Sequence, residues 1–248
     1  MKSAYLRFYE ELNDFLPERK RKIRFELKFK GRTSIKDLIE SIGVPHGEVD
    51  LILVNDKSVD FSQIVNEGDD ISVYPIFESI DITNLQHLRE KPLRHPKFVL
   101  DVHLGTLAKY MRMFGFDSLY SNKFTDEDLI KISLKESRTI LTRDIGILKH
   151  SIVSRGYFVR NTKPEIQIEE IIKRFDLYSN INKLSRCLEC NSPLEIISKE
   201  KIFERLPPKV RACKDVFFIC KKCDKIYWQG SHFNNMNVMM NKFLSTRE

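Results

Sequence analysis

No stretch of this sequence approaches the roughly 20 consecutive apolar residues that a membrane-spanning helix needs, so no membrane segment is expected. A secretory signal is not expected either, because residues 1–15 carry Glu10, Glu11 and Asp14 where such a signal needs an unbroken apolar core. Both points lead to a cytoplasmic protein. Internal repeats are missing, which argues against solenoid architectures. Cysteine is scarce, with five in 248 residues. Four of the five fall in two C-x-x-C pairs, a usage that suits a reducing compartment and a metal better than disulfides and leaves Cys213 as an ordinary thiol. Hydrophobic residues at 42% and charged residues at 31% are close to globular averages, which excludes long disordered or collagen-like stretches. The length fits two or three compact domains. Lys and Arg number 42 against 35 Asp and Glu, a net +7 that suits either a polyanionic partner or simple solubility.

Residues 1–80 alternate between strand-like runs and one helix. Residues 4–9 and 23–29 read as strands about a polar turn with Pro17, and Thr33 or Ser34 caps a helix with Ile35, Leu38, Ile39 and Ile42 on one face, ended by Gly43. Residues 51–54, the turn at Asn55 and Asp56, an apolar patch at 61–65 and residues 71–74 supply the remaining strands. This β-β-α-β-β order is that of an α+β ubiquitin-like β-grasp domain. Residues 81–97 are polar and basic with Pro92 and Pro96, as in a connector.

From residue 98 to about 180 the pattern becomes alternating β/α. Phe98, Val99 and Leu100 form a short buried run that delivers Asp101 at its end, and Leu104, Leu107, Ala108, Met111 and Phe114 follow at helical spacing until Gly115. Residues 116–120 read as a second strand, and Thr125 precedes three acids and a helix. Residues 139–142 are a third strand ending at Arg143 and Asp144, and a strand at 157–159 and a helix over 164–177 complete the series. A mostly parallel sheet with right-handed crossovers is predicted. Residues 181–248 hold the cysteine pairs and a C-terminal helix.

Cys187, Cys190, Cys220 and Cys223 are predicted to bind one structural zinc ion, because each C-x-x-C turns two soft thiolates toward one point and Zn²⁺ favours four such ligands in closed sites. The gap between the pairs calls for one or two β-hairpins, so this end reads as a zinc ribbon. His232 is a poorer ligand candidate. Asp101 and Asp144 sit at the ends of predicted parallel strands, the edge where ligands and catalytic groups collect in open α/β sheets. Asp126, at a helix start, offers a third oxygen donor, and such hard ligands suit Mg²⁺ or Mn²⁺. Two of the acids also have a local reading: Asp126 as a helix cap, Asp144 as a partner of Arg143 or a cap of the following turn.

DVHLGTLAKYMRMFG at 101–115, GFD at 115–117, TDEDL at 125–129, LTRD at 141–144, RCLEC at 186–190 and CKKCDKIYWQGSHFNNM at 220–236 together resemble the Mut-7 C-terminal-type RNase family. The resemblance spans residue 98 to the C-terminus. It implies an α/β PIN-like nuclease domain over 98–180 with a C-terminal zinc ribbon over 181–248, and acidic metal ligands at Asp101, Asp126 and Asp144. A fourth acid common in PIN-like sites falls to Asp117 or Asp128, with a turn role favoured for Asp117. The N-terminal stretch looks like the ubiquitin-like domain that often precedes this nuclease. It ends in VYPIFESID without a Gly-Gly and the chain runs on, which disfavours modifier or sulfur-carrier chemistry.

The expected function is therefore a ribonuclease that hydrolyses RNA phosphodiesters through carboxylate-held Mg²⁺ or Mn²⁺. Substrate-binding candidates are Arg112, Arg143, Trp228 and His232; the ribbon interleaves Lys209, Arg211, Lys214, Lys221, Lys222 and Lys225 with aromatic residues that can stack on unpaired bases. Phe218 and Tyr227 are read as ribbon core and Trp228 as the stacking residue. The competing expectation is a non-catalytic RNA-binding adaptor whose β-grasp domain docks a protein partner.

Overall fold

The computed structural model describes residues 1–75 and 96–230, with 233–234, 237–238 and 241 beyond them. The connector expected at 81–97 thus lies almost wholly outside the described residues, as does much of the expected C-terminal helix and all of His232. In chain order the first strands and helix are β1 (Lys2–Phe8), β2 (Phe25–Phe29), α1 (Ile35–Ser41), β3 (Val49–Val54), β4 (Lys57–Ser58) and β5 (Asp70–Pro75). After them come β6 (Phe98–Leu100), α2 (Gly105–Met113), β7 (Ser118–Tyr120), α3 (Asp126–Glu136), β8 (Thr139–Thr142), α4 (Ile145–Leu148), β9 (Gly156–Phe158) and α5 (Pro164–Arg174). The last are β10 (Glu195–Ile197), α6 (Lys199–Ile202), α7 (Pro208–Cys213), β11 (Phe217–Ile219) and β12 (Ile226–Tyr227). The chain divides into two compact units, one of Met1–His103 with Asn122–Arg160 and the other of Leu104–Ser121 with Asn161–Glu248.

In the first unit, β1 to β5 form one sheet in the order β2-β1-β5-β3-β4. β1 runs antiparallel to β2 and parallel to β5, the central parallel pair that a β-grasp builds around its crossover helix. Ser34 is the cap of α1: its hydroxyl accepts from the Asp37 N–H at 3.1 Å. Ile35, Leu38 and Ile39 of α1 join Leu6, Phe8, Ile52, Ile71 and Val73 in a closed core, each such side chain contributing about 1.5–3 kcal/mol of burial free energy. Asn55 and Asp56 both have positive φ, at 49° and 66°, the two-residue hairpin turn their side chains tolerate. The patch at 61–65 forms no strand. A single bridge joins Ser34 to Ile64 there, and Val65 is buried in the core.

The same unit holds β6, β8 and β9, paired in parallel with Leu100 opposite Leu141 and Thr142 opposite Phe158. α3 packs on β6 and β8. It begins with a full capping box between Thr125 and Asp128, which puts the helix boundary where the run of acids predicted it. It ends at Ser137 in the left-handed region.

In the second unit, α2 stops at Gly115, whose φ is +94° and where a Cβ would stand 2.2 Å from the Asn182 carbonyl oxygen, so only glycine fits. α5 opens with Pro164 in its first turn and packs on α2. β10, β11 and β12 form a three-stranded antiparallel sheet. The gap between the cysteine pairs is bridged by β10 and β11, which pair antiparallel as the expected hairpin does, with the short helices α6 and α7 inserted in the connection between them. The helices take that role because Ile202 and Leu206 cover Phe217, which is fully buried, and so give the small sheet a core. Phe217 rather than Phe218 is that core residue.

Candidate functional site

The four cysteines come together from two loops built alike. In the first, the Cys187 N–H donates to the Ser192 carbonyl at 2.8 Å and the Asn191 N–H to the Cys187 carbonyl at 3.0 Å. In the second, the Cys220 N–H donates to the Lys225 carbonyl at 2.9 Å and the Asp224 N–H to the Cys220 carbonyl at 2.8 Å. The residue after each second cysteine, Asn191 or Asp224, takes positive φ, at 65° and 54°. Asn and Asp are the non-glycine residues that bear this region best. Each loop thereby turns two sulfurs to one side.

All four sulfurs lie within 4.8 Å of one another. Cys223 Sγ is 3.3 Å from Cys187 and Cys220 and 3.4 Å from Cys190. These separations far exceed a disulfide bond of about 2.05 Å and approach the edge of about 3.8 Å that four thiolates make around a tetrahedral ion with bonds near 2.3 Å. Burial pushes the Cys190 thiol up, but hydrogen bonds with Ser192 and the neighbouring cysteines outweigh it and bring its pKa to about 6. Cys223 moves upward through burial and the adjacent thiols.

Side chains around the cluster complete it. The Tyr227 hydroxyl and Cys187 Sγ share a hydrogen bond at 3.1 Å, and burial with that contact raises the tyrosine's pKa. Arg112 is buried, at 3% exposure, and donates to the carbonyls of Leu188 (2.8 Å) and Glu189 (2.9 Å), the two residues inside the first pair, as well as to that of Ser118 (2.8 Å). Sequence reasoning offered Arg112 as a substrate ligand; the structure turns it inward as a brace of the cysteine loop. Asp117, offered as a fourth acid, pairs with Arg186 at 3.2 Å and accepts from Asn191 Nδ2 at 2.7 Å, so it too anchors that loop. Trp228 lines an apolar cavity of about 540 Å³ with Met113, Val210 and Phe233, alongside Lys209 and Lys214. It also packs edge-on against Phe217 at 6.5 Å.

The second constellation lies at the ends of the parallel strands. Asp101 follows β6 and Asp144 follows β8, and because the two strands are parallel both fall on one edge. α3 leads back into β8, so its N-terminus, with Asp126, opens on the same edge. Asp101 is buried, at 4% exposure. Its Oδ1 accepts the His103 N–H at 2.7 Å, and its Oδ2 accepts the Thr142 hydroxyl at 2.5 Å and the Arg143 N–H at 2.9 Å. Thr142 Oγ1 in turn accepts the Asp144 N–H at 2.8 Å, which links the two acids through one hydroxyl.

Asp144 is exposed and caps α4, its Oδ1 accepting the Gly146 N–H at 2.6 Å. Asp126 is exposed in the first turn of α3. Asp128 is held by its capping box, whose hydrogen bonds with the Thr125 backbone and hydroxyl lower its pKa. Arg143 directs Nη1 at the carbonyls of Val159 and Arg160, both at 3.0 Å. Among the described residues, only the four cysteines make a set of three or more His, Cys, Asp or Glu ligand atoms as close as 4.8 Å. The three acids share an edge without forming so tight a set. Thr142 and Asn191 carry much of both sites and were not singled out from sequence, the LTRD motif containing the first unremarked, and Tyr227 was read as ribbon core rather than as a partner of a cysteine.

No described helix is long and apolar enough to cross a membrane. The sequence model of the family described as Mut7-C ubiquitin matches residues 1–81, and that of the Mut7-C RNAse domain matches residues 96–240. No curated protein matches the chain. A solved structure, SAMP1 from Haloferax volcanii, is similar over 32% of this chain and 99% of its own, at 11% identity and a TM-score of 0.25. Since the RNAse domain match covers more than half of the chain and follows the ubiquitin match in order, the protein belongs to the Mut7-C RNAse domain family, with a Mut7-C ubiquitin domain at its N-terminus.

Proposed function

We propose that this protein is a metal-dependent ribonuclease of PIN-like design, with its catalytic acids at Asp101, Asp126 and Asp144 and a structural zinc ribbon at its C-terminal end. The observation that carries the reading is the position of Asp101: a buried carboxylate at the end of a parallel strand, fixed by three donors, in a chain of the Mut7-C RNAse domain family. An ionised carboxylate has about four acceptor sites. Three on Asp101 are filled by the His103 and Arg143 amides and the Thr142 hydroxyl, which leaves one aimed by its neighbours. Asp144, with one site filled by Gly146, and Asp126, exposed, add hard oxygen donors on the same edge. This donor set fits Mg²⁺ or Mn²⁺. Such a cation, when bound, neutralises a phosphodiester and makes a water acidic enough to attack it.

Asp101, Asp126 and Asp144 would hold such a cation together with water, since the three acids do not close into one tight set. The residues themselves orient. Thr142 holds the Asp101 carboxylate by its hydroxyl and the Asp144 backbone by its oxygen, so the two ends cannot drift apart independently. Zinc suits the four thiolates as a closed structural ion that folds the two loops together.

The test is cleavage of a labelled single-stranded RNA by wild type and by Asp101→Asn, Asp126→Asn and Asp144→Asn with Mg²⁺ or Mn²⁺. Each variant should fall by about 100-fold or more, since even outer partners of a metal site cost 10–100-fold. Variants that cut as fast as wild type would refute the assignment. RNA binding without cleavage by the wild type would favour the adaptor reading.

A further inference from the structure

Glu48 is fully buried, at 0% exposure, in a short turn of the ubiquitin-like domain that lies between Val44 and Val49 of that domain's core. A carboxylate taken out of water is costly unless it is paired and hydrogen-bonded. Two partners of its carboxylate come from the other domain. Oε1 accepts the Phe158 N–H of β9 at 2.5 Å, and Oε2 accepts from Arg160 Nη2 at 3.0 Å. Arg160 also reaches the Glu11 carbonyl at 3.1 Å and Asp14 Oδ2 at 2.6 Å, both in the ubiquitin-like domain. The approach is close: a Cβ on Gly47 would stand 3.2 Å from the Leu148 carbonyl oxygen.

The segment that Glu48 grips is the one that supports the acidic edge. The Val159 N–H donates to the Thr142 carbonyl at 2.7 Å. The carbonyls of Val159 and Arg160 receive the Arg143 guanidinium. Thr142 and Arg143 are two of the three residues that hold Asp101. Glu48 is therefore joined to Asp101 by two short routes, one through the Val159 amide and the Thr142 backbone and one through the Arg143 side chain.

We propose that Glu48 is a positioning residue for the acidic site: through Phe158, Val159 and Arg160 it fixes Thr142 and Arg143, and so the carboxylate of Asp101, making the docked ubiquitin-like domain a built-in part of the RNAse domain's active arrangement. The proposal rests on the ribonuclease reading for its kinetic consequence and on geometry alone for its structural one. The full chain is compared as wild type, Glu48→Ala, Glu48→Gln and, as a control on a surface ion pair of the same domain, Arg24→Ala. Two readouts are used.

The first is amide hydrogen exchange at Phe158 and Arg143 in the absence of added cation. Glu48→Ala should speed exchange at both by tenfold or more, Glu48→Gln should speed it less because an acceptor for Phe158 remains, and Arg24→Ala should leave it unchanged. The second is single-stranded RNA cleavage against Mg²⁺ concentration. Glu48→Ala should raise the Mg²⁺ needed for half-maximal rate and lower kcat by tenfold or more, with KM for RNA within twofold and far-ultraviolet circular dichroism unchanged; Glu48→Gln should recover part of the loss. Unchanged exchange at Arg143 in Glu48→Ala overturns the positioning role whether or not RNA is cut. Faster exchange at Arg143 with a wild type that cuts no RNA keeps the positioning role and removes the ribonuclease reading. Loss of kcat in proportion to loss of folded protein, with the Mg²⁺ dependence unmoved, marks Glu48 as structural only and also overturns it.

Discussion

Arg112→Met separates the two roles open to a buried arginine beside a cysteine cluster. Met keeps the apolar stem of the side chain as far as the position of Nε, so packing along the stem survives while the guanidinium is lost. Three carbonyls then lack a donor, those of Ser118, Leu188 and Glu189. At about 1 kcal/mol net per hydrogen bond, the loss is about 3 kcal/mol. Two of the three bonds lie inside the first cysteine pair. If those two are felt by the metal-bound loop, zinc affinity falls by about 2 kcal/mol, or about 30-fold at 1.4 kcal/mol per tenfold. The positive charge adds to this in the same direction, since it faces a cluster that carries net negative charge when four thiolates hold one Zn²⁺. The assay is competition for zinc against a chromophoric chelator at pH 7, with the KM for single-stranded RNA measured on the same preparations. An affinity within threefold of wild type, together with a raised KM, would refute the bracing role and return Arg112 to the substrate.

Tyr227→Phe removes the hydroxyl that shares a hydrogen bond with Cys187 Sγ at 3.1 Å; zinc affinity measured by the same competition should fall by about tenfold, the lower end for an outer-shell partner, and equal affinity would show that the thiolate needs no such partner. His46 is buried in the ubiquitin-like domain, and burial lowers its pKa despite the hydrogen bond with Glu40, Lys36 adding to the fall. The unfolded chain then takes up this proton at higher pH than the folded one, so the stability is fully present above the unfolded value near 6.5 and is lost as pH falls through the lowered folded value. Urea midpoints should show the advantage of wild type over His46→Gln shrinking between pH 7.5 and pH 5, and a constant gap would refute this.

What sequence could reveal follows the range of the interactions. The C-x-x-C pairs turn their sulfurs to one side through turns closed within six residues, so spacing alone pointed to the four-cysteine cluster that is positioned to bind a metal. The capping box of Thr125 and Asp128, the hairpin turn at Asn55 and Asp56, and the buried strands carrying Asp101 and Asp144 are likewise local, and all stand where the pattern put them. The roles of Arg112 and Asp117 were hidden because their partners lie more than 70 residues away, at Leu188, Glu189 and Asn191. A helix periodicity places Arg112 beside the apolar stripe but gives no sign that it points to a loop of another element. The helices inserted between the cysteine pairs were missed for a related reason. The apolar residues Ile202 and Leu206 are too few to announce helices, and they earn their places only by covering Phe217.

Glu48 is the extreme case, since Phe158 lies 110 residues away and nothing in the run PHGEVD distinguishes it from an ordinary loop acid. Its burial has a consequence for the adaptor alternative. Glu48 and Arg160 each lose hydration in the docked state and are compensated only by one another and by the groups beside them, so partial separation exposes both costs at once. Such a contact favours two states, fully docked or fully apart, over a loosely tethered domain. A protein partner of the ubiquitin-like domain must then bind away from Glu11, Asp14 and Glu48. Among the described residues, β2 is an outer strand of the sheet and offers such surface to a partner. A partner held there would leave the grip on Phe158 intact, and so would add recruitment to the acidic edge without disturbing the residues that position it.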